Sequence, residues 1–453
     1  MKMKKLTAIL TATAMTAVML AGCGNTTAKT ETTTDKTETE TAATEETATA
    51  ETAKDLTGVE ISFLNSKGEV QSALEEMAVA FEEETGIKVD ILSCGVGEVP
   101  YTKITSAYNS GTAPTMAMLD GTDIQALAKD YALDLSSEEW VNECDTMKLD
   151  GTVYSFPFCV EGRGLIYNKA AIEETLGTEF DPASINSYDS LKALLESLRA
   201  AGMENPVVLS KEDWSLGAHQ LGFIYDTYDG TTEGSAKLIG DLKSGTVKPA
   251  DYERFNQFTD TMDLLMEYNI NGADPLGALY EQDPIFLADG EAAIWANGCW
   301  AWQNIADSGA TAEDEYGFLP FVLGNDTTDF ANTSIQASAS KQVMIDKVQA
   351  SEDEIAAAKE FLNWMVYNEN GQKMLVENCA IIPACQNNAF EPMDPLGKDI
   401  KARMADGKTY SSSFIAPSDH WSVMGAAMQK YIAKESTKEE LATALADYWT
   451  SQK

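Results

Sequence analysis

The segment VEISFLNSKGEVQSALEEMAVAFEEETGIKVDIL, residues 59–92, contains the pattern that decides the fold. Residues 59–64 alternate between apolar and polar side chains, which predicts a half-buried β-strand. Over residues 70–81 the apolar residues recur at helical spacing and acidic residues fill the other face, which predicts an amphipathic helix. The pair at residues 85–86, Thr-Gly, is typical of a helix end, and residues 88–92 have the pattern of a second strand. The segment therefore predicts a strand–helix–strand unit.

The same alternation continues with a predicted helix over residues 102–110 and a predicted strand over residues 116–119. Strands separated by helices indicate an α/β fold with a parallel sheet. Ligands of such sheets bind beyond the carboxyl ends of the strands. Four polar residues that follow predicted strands are therefore expected on the ligand side, namely Asn65, Ser66, Lys67 and Asp120.

The pattern becomes less regular in the middle of the chain. The stretch after residues 150–151, which contains Pro157, is predicted to be irregular, and a short strand is predicted at residues 164–167. The chain from there on is expected to build a second lobe. Three further amphipathic helices are predicted, around residues 355–365, 421–434 and 437–449.

The N-terminus has the parts of a secretory signal peptide, with basic residues 1–5, an apolar stretch and the small residues 20–22. Because Cys23 comes next, the segment resembles a bacterial lipoprotein signal. That resemblance implies a signal peptide at residues 1–22 that is removed, and a lipid on Cys23. The alternatives are an ordinary signal with a chance cysteine and a membrane span. A span needs about 20 apolar residues, and this run is shorter and interrupted by Thr.

A segment rich in Thr and Glu follows the signal. Residues 25–54 contain little besides Thr, Glu, Ala, Lys and Asp, and no aromatic residue. Such a segment cannot bury enough apolar area to offset the entropy of its own ordering. We therefore expect a disordered tether over residues 23–56.

The bulk composition limits the classes of function. The chain has 453 residues and a formal net charge of −40, which argues against a nucleic-acid-binding protein and fits a solvated acidic surface. About 400 residues follow the tether, which is too many for one ordinary core and predicts two domains.

Cysteine and histidine are sparse. Six cysteines follow Cys23 and the chain has two histidines, without a CxxC pair or a Cys/His cluster. We therefore expect no metal and no cofactor. Only Cys379 and Cys385 are close in sequence, and both a disulfide between them and two buried free thiols remain open.

Five blocks of sequence together resemble one family. They are residues 59–89 with Ser-Gly-Thr-Ala-Pro at 110–114; DGTVYSFP at 150–157, continued to residue 169; FLADGEAA at 286–293 with GCWAWQNI at 298–305; AKEFLNW at 358–364 with Ile-Pro-Ala at 382–384; and Trp421 with the sequence after it. Each block is weak alone, but their order over nearly all of residues 57–453 is specific. The chain resembles the extracellular solute-binding proteins of bacterial ABC importers, in the sugar and oligosaccharide group that includes maltose-binding protein.

The resemblance implies a periplasmic-binding-protein-like fold of two α/β lobes with a hinged ligand cleft between them. By resemblance, the chain crosses between lobes near residues 159–162, 331–336 and 382–384. The lobe boundaries that follow are residues 57–160 with 336–382 for the first lobe, and residues 162–335 with 383–453 for the second.

The resemblance also implies ligand-binding residues. Trp300 and Trp421 occupy the positions of sugar-stacking tryptophans, and Glu161 occupies the position of a glutamate that accepts sugar hydroxyls. Lys67 and Asp120 match residues that follow the first and third strands. A tryptophan without such a match is more often part of a hydrophobic core, as we expect for Trp302 and Trp364. The alternative role for Glu161 is a salt bridge with Arg163 at the hinge.

Some positions depart from the family pattern. Ser66 replaces an expected carboxylate, Met118 lies near an expected Trp, and Arg163 replaces a small residue. Trp214 is included as an aromatic of the second lobe and Arg163 as a further ligand contact. These departures argue against maltose itself and favour another di- or oligosaccharide.

The implied function is a monomeric, lipid-anchored binding protein on the extracellular face of the bacterial cytoplasmic membrane. It would bind a carbohydrate, close around it and deliver it to the permease subunits of an ABC importer, without catalysis. The alternatives are a binding protein of the same fold for a polyamine, a peptide or a metal chelate, a sensor partner, and a surface glycosidase. A glycosidase needs two carboxylates that face each other across a cleft. Because the chain has 72 acidic residues, the presence of suitable carboxylates is not evidence for a glycosidase.

Overall fold

The computed structural model describes residues 54–95, 98–144, 146–411 and 416–452. The predicted signal peptide, Cys23 and the tether up to residue 53 lie outside the described residues. The remaining chain from Asp55 forms one contiguous unit. Within it, strands and helices alternate around several hydrophobic clusters, and the two largest share one sheet.

The elements up to residue 168 are β1 (Glu60–Asn65), α1 (Gln71–Thr85), β2 (Lys88–Ser93), α2 (Pro100–Ser110), β3 (Met116–Asp120), α3 (Gly121–Tyr131), β4 (Lys148–Leu149), β5 (Thr152–Val153) and β6 (Phe156–Asn168). The next group is α4 (Lys169–Leu176), α5 (Tyr188–Ala200), β7 (Val207–Val208), a π-helical turn (Ser215–Gln220), α6 (Leu221–Asp226), α7 (Thr232–Lys243), α8 (Glu253–Glu267), α9 (Asp283–Ala288), β8 (Ile294–Gly298), a 3₁₀ turn (Cys299–Ala301), α10 (Trp302–Asp307), β9 (Tyr316–Leu319) and α11 (Phe330–Thr333). The last group is β10 (Ile335–Ile345), α12 (Glu352–Tyr367), α13 (Glu369–Glu377), β11 (Ile382–Pro383), α14 (Pro395–Ala405), β12 (Thr409–Tyr410), α15 (His420–Ile432) and α16 (Lys438–Ser451).

The predicted strand–helix alternation at the start of the unit is confirmed. β1 pairs in parallel with β2 and with β3, in the registers Ile61 to Val89 and Phe63 to Met116. The three helices predicted towards the C-terminus correspond to α12, α15 and α16. The carboxyl ends of β1 and β3 therefore lie at the same edge of the sheet, as predicted.

The prediction of an irregular stretch around Pro157 is wrong. β6 begins at Phe156 and runs to Asn168, so the predicted strand at residues 164–167 is only its final part. Proline is tolerated at strand starts and bulges because it lacks an N–H donor. Pro157 is the second residue of β6, and its pairing with β10 shifts register next to it, between Lys341 and Gln342.

Two long antiparallel strands run through the whole fold. β6 contributes Phe156 and Phe158 to one core and Leu165 and Tyr167 to the other. β10 pairs with β3 at one end and with β6 along its length, while the second half of β6 pairs with β8 and β9. The sheet order β2-β1-β3-β10-β6-β8-β7 therefore links two lobes through central strands.

Each lobe has its own core. The first-lobe core joins residues 61–159 to residues 343–385, with Phe81 and Phe361 in edge-to-face contact at 4.9 Å between ring centroids. The second-lobe core joins residues 165–331 to residues 410–449, with Phe223 stacked on Phe321 at 4.6 Å. The fold is thus a two-lobe α/β fold in which the chain returns to each lobe after visiting the other.

A disulfide joins Cys144 to Cys385, so the bridge between Cys379 and Cys385 that the sequence left open does not form. Cys379 is a buried free thiol. The backbone N–H of Gln386 donates to the carbonyl of Glu143 at 2.8 Å, next to the disulfide. The segment after β11 is therefore attached to residues 143–144.

Two negative findings concern the described residues alone. None of their helices combines the length and the apolar character that a membrane crossing requires. Across the same ranges, no group of three or more His, Cys, Asp or Glu side chains is arranged to hold a metal ion.

Candidate functional site

A buried ion pair lies where β1 ends beside the middle of β6. The Lys67 ammonium pairs with Oε1 of Glu161 and, at 2.7 Å, with Oε1 of Glu69. The second Glu161 oxygen, Oε2, accepts a hydrogen bond from the Ser340 hydroxyl of β10. Lys67 is only 4% exposed, so the pair is largely removed from water. Two predicted ligand residues, Lys67 and Glu161, therefore contact each other directly.

A second ion pair extends this group. Lys341 of β10 lies in register with Asp120 at the end of β3, and its ammonium is 2.6 Å from Asp120 Oδ1. Burial alone would raise the pKa of the Glu161 carboxyl, but the charges of Lys67 and Lys341 and two hydrogen bonds outweigh it and lower this pKa to about 2. Burial likewise opposes the charge on Lys67, and Glu161 and Glu69 overcome it and raise its pKa. Glu161 is therefore a carboxylate and Lys67 an ammonium at neutral pH.

We call these residues, Lys67, Glu161, Asp120, Ser340 and Lys341, the charged group. Lys341 and Ser340 were not predicted from the sequence. Their place follows from the antiparallel pairing of β10 with β3 and with β6, which no local pattern in residues 335–345 reveals.

Arg163 has a different neighbourhood. Its guanidinium lies 2.6 Å from Asp226 Oδ2, donates to Gln336 at 2.9 Å and sits 5.0 Å from the centre of the Phe223 ring. Among the described residues, Glu161 forms an ion pair with Lys67, and Arg163 forms one with Asp226. The alternative prediction of a hinge salt bridge between Glu161 and Arg163 is therefore wrong. Arg163 is 8% exposed, and its charge is already balanced inside the second lobe.

A row of rings forms the other part of the site. Trp300 lies 4.5 Å from His219, His219 lies 5.4 Å from Trp214, and Trp214 lies 5.4 Å from Tyr280, as centroid distances. All four side chains are partly exposed. We call these four residues the aromatic wall. Trp214 and Trp300 were predicted, whereas Tyr280 and the position of His219 were not.

Local sequence explains how Trp300 joins the wall. β8 ends at Gly298 and the chain turns at once into the 3₁₀ turn that carries Trp300. A Cβ atom at residue 298 would overlap the Trp300 ring, so glycine allows this ring to fold back over the end of the strand.

Trp421 is half-buried in the first turn of α15. Its carbonyl oxygen lies against Gly217 of the π-helical turn, and a side chain at residue 217 would overlap both that oxygen and the amide nitrogen of Gly425. Glycines at these two positions let the backbones touch. Trp421 is thereby held beside the turn that carries His219.

The charged group and the aromatic wall meet at β6. The N–H of Gly162, next to Glu161, donates to the sulfur of Cys299, next to Trp300, at 3.5 Å. Burial raises the pKa of Tyr280 to about 12, and the negative charges of Asp283, Glu69 and Glu212 add to this shift. Because Glu69 also pairs with Lys67, the wall and the charged group influence each other electrostatically. We call the two together the candidate cleft.

Comparison with known families gives this architecture its class. Residues 76–399 match the sequence model described as bacterial extracellular solute-binding protein. The match covers well over half of the chain, and the chain belongs to this family.

Solved structures share the fold. A chitin oligosaccharide binding protein aligns with a TM-score of 0.70 at 19% identity, covering 87% of this chain and 98% of that one. RafE in complex with raffinose aligns with a TM-score of 0.68 at 19% identity, covering 87% and 99%. A sugar transporter protein from Bacillus licheniformis in complex with stachyose aligns with a TM-score of 0.64 at 18% identity, covering 87% and 100%. At these identities the likeness concerns the two-lobe fold.

Proposed function

We propose that this protein captures a neutral di- or oligosaccharide outside the bacterial cell, closes its two lobes around it and delivers it to the permease of an ABC importer. The observation that carries the proposal is the aromatic wall beside the charged group in the candidate cleft. The solved structures named above include proteins bound to raffinose and stachyose, which supports an oligosaccharide as the ligand class.

The chemistry of the site suits a sugar. Sugars present flat C–H faces and a rim of hydroxyl groups, and aromatic rings cover such faces while carboxylates and amines pair with hydroxyls. Trp300, Trp214 and Trp421 supply the rings in this proposal. Glu161, Asp120 and Lys67 supply the polar partners.

The charge balance favours an uncharged ligand. Three cations beside the cleft have an internal carboxylate partner: Lys67 pairs with Glu161, Lys341 with Asp120, and Arg163 with Asp226. An anionic sugar would have to compete with these carboxylates. A neutral sugar can accept and donate hydrogen bonds without disturbing the pairs.

Closure is proposed to occur about β6, β10 and the connection at β11. We propose a first lobe of residues 57–160 and 336–382 and a second lobe of residues 162–335 and 383–453. The hydrogen bonds of Gln386 to Glu143 and of Asn388 to Gln372 suggest that the first lobe extends to about residue 388. A ligand that touches both lobes stabilises the closed form because its affinity for that form is higher.

The family and the N-terminal sequence support a proposal about the location. We propose that the signal peptide of residues 1–22 is removed and that a lipid on Cys23 holds the monomer on the extracellular face of the membrane. The permease and the carbohydrate are then the partners of the folded unit.

Substitution of Trp300 tests the site and the function together. We expect Trp300→Ala to lower the affinity for the cognate oligosaccharide roughly thirtyfold, because loss of a central stacking ring costs on the order of 2 kcal/mol. Isothermal titration calorimetry measures this change.

Trp302→Phe is the matched control. Trp302 is buried 5.6 Å from the Tyr316 ring, in a hydrophobic cluster with Ile305 and Phe318 that is separate from the two lobe cores. Its substitution is expected to lower the melting temperature and leave the affinity unchanged. Unchanged affinity in Trp300→Ala would contradict the assigned site.

A further inference from the structure

Several buried side-chain polar atoms of the described residues have no hydrogen-bond partner, and two of them lie next to Lys67 and in the aromatic wall. These two are the hydroxyl oxygen of Ser66, directly after β1, and Nδ1 of His219 in the π-helical turn. Both atoms are shielded from water, although each residue is partly exposed. A buried polar atom without a partner is unfavourable, because it has lost its hydrogen bonds to water.

The contacts of His219 leave its Nδ1 without a hydrogen-bond partner. The ring packs between Trp214 and Trp300, at 5.4 and 4.5 Å between centroids, and these neighbours offer no hydrogen-bond acceptor. Burial and the positive charge of Arg163 lower the His219 pKa to about 3, although Glu161 acts in the opposite direction. The imidazole is therefore neutral near pH 7, and Nδ1 donates one hydrogen bond in one tautomer and accepts one in the other.

The backbone around His219 is also unusual. Residues 215–220 form a π-helical turn before α6 begins at Leu221. Such turns insert an extra residue into a helix and are frequent at functional sites. Here the turn is held in place by the close approach of Gly217 to α15.

Ser66 is held by its neighbours while its own hydroxyl stays uncommitted. The Asn65 side chain accepts from the Lys67 N–H and donates to the Lys67 carbonyl, both at 2.8 Å, so the loop on each side of Ser66 is fixed. Lys67 is in turn fixed by Glu161. Ser66 thus belongs to the first lobe and lies next to the charged group, whereas His219 belongs to the second lobe.

We infer that hydroxyl groups of the bound glycan complete the hydrogen bonds of Ser66 and His219, one from each lobe, which makes this pair a determinant of specificity. The inference rests on the proposed function. A sugar hydroxyl is both donor and acceptor, so it satisfies a serine hydroxyl and either tautomer of a neutral imidazole. Because the two residues lie on different lobes, both bonds form only in the closed complex.

Ser66→Ala and His219→Phe test the inference through two readouts. Each substitution removes a polar atom that has no internal partner, so the melting temperature of the ligand-free protein should stay equal or rise. The same substitutions should each weaken glycan binding roughly fivefold, as for one hydrogen bond. Calorimetry and thermal unfolding of the same samples measure both.

Trp140→Phe is the control. Its indole N–H is also buried without a partner, but it lies in the first-lobe core against Phe156. It is expected to leave glycan affinity unchanged even where stability changes.

The outcomes separate the two proposals. Tight glycan binding that is indifferent to both substitutions would overturn this inference and leave the proposed function standing. A parallel loss of melting temperature and affinity would indicate a structural role and also overturn it. Failure of the unsubstituted protein to bind any glycan would overturn the proposed function and the inference with it.

Discussion

Glu161 keeps its charge in a site that is nearly closed to water. Its side chain is 12% exposed and accepts from Lys67 and Ser340. Removing one partner of such a pair leaves the other charge buried without compensation. The free-energy cost of that buried charge exceeds the net stabilisation that the intact pair provides. The pair therefore fixes where β1, β6 and β10 meet and positions the polar side of the cleft.

The lowered pKa of Glu161 predicts how stability depends on pH. The folded-state pKa is about 2 against an ordinary value of 4.5, so the unfolded state binds more protons between these values. The stabilisation from this group is complete above about pH 5 and is lost as the pH falls towards 2, a change of at most about 3 kcal/mol. Glu161→Gln should lower the melting temperature at pH 7 and flatten its dependence on pH over this window.

Glu60→Gln is the matched control for that experiment. Glu60 pairs with Lys88 at 3.1 Å on the surface, where its side chain is 70% exposed. Such a pair contributes less than about 1 kcal/mol, so its substitution should leave the pH profile unchanged. An identical pH profile for Glu161→Gln and the unsubstituted protein would show that Glu161 is not held ionised by Lys67.

At the residue scale, the sequence pointed to some of the residues that meet in the candidate cleft. Lys67 and Asp120 followed from the rule that ligands bind beyond strand ends, and Glu161, Trp214 and Trp300 followed from resemblance. Lys341 and His219 did not, because their partners come from distant parts of the chain. Lys341 reaches Asp120 across 221 positions, and the His219 ring meets Trp300 only after a π-helical turn has formed.

At the scale of elements, periodicity predicted the amphipathic helices and the first parallel strands well. It failed for β6, because a strand buried on both faces does not alternate and because Pro157 suggests a break. Pairing with β10, β8, β9 and β11 stabilises the whole of β6, and that pairing is a property of the assembled sheet.

The contact between the π-helical turn and α15 gives a prediction at this scale. Gly217→Ala should lower stability by about 1–3 kcal/mol, because the new methyl group overlaps the Trp421 carbonyl and the Gly425 amide nitrogen. It should also weaken ligand binding, since both His219 and Trp421 are positioned by this contact. Chemical denaturation and calorimetry measure the two effects.

Gly240→Ala is the corresponding control in α7. A methyl group at residue 240 meets no atom within 4 Å. Alanine in a helix interior is favoured over glycine by roughly 0.5–1 kcal/mol, so this variant should be slightly more stable and bind normally. Equal stability of the two alanine variants would contradict the close packing at Gly217.

At the scale of the whole molecule, the order of the elements and their distribution over two lobes could be predicted, but some long-range links could not. The disulfide joins Cys144 to Cys385 across 241 positions. The sequence offered Cys379 as a partner for Cys385 only because the two are close along the chain, and Cys379 is a free thiol. The large negative charge does not imply a cationic ligand, since Glu161 and Asp120 of the charged group are paired with Lys67 and Lys341.

The most direct test of the account is a thermal-shift screen of residues 55–453 against neutral oligosaccharides, with polyamines and peptides as controls, at low and high salt. A ligand at 100 times its dissociation constant should add about 2.7 kcal/mol of stability. We predict stabilisation by one class of neutral glycan that persists at high salt, because no net charge is involved. Stabilisation by polyamines or peptides alone, or no stabilisation by any glycan, would contradict capture of a neutral oligosaccharide.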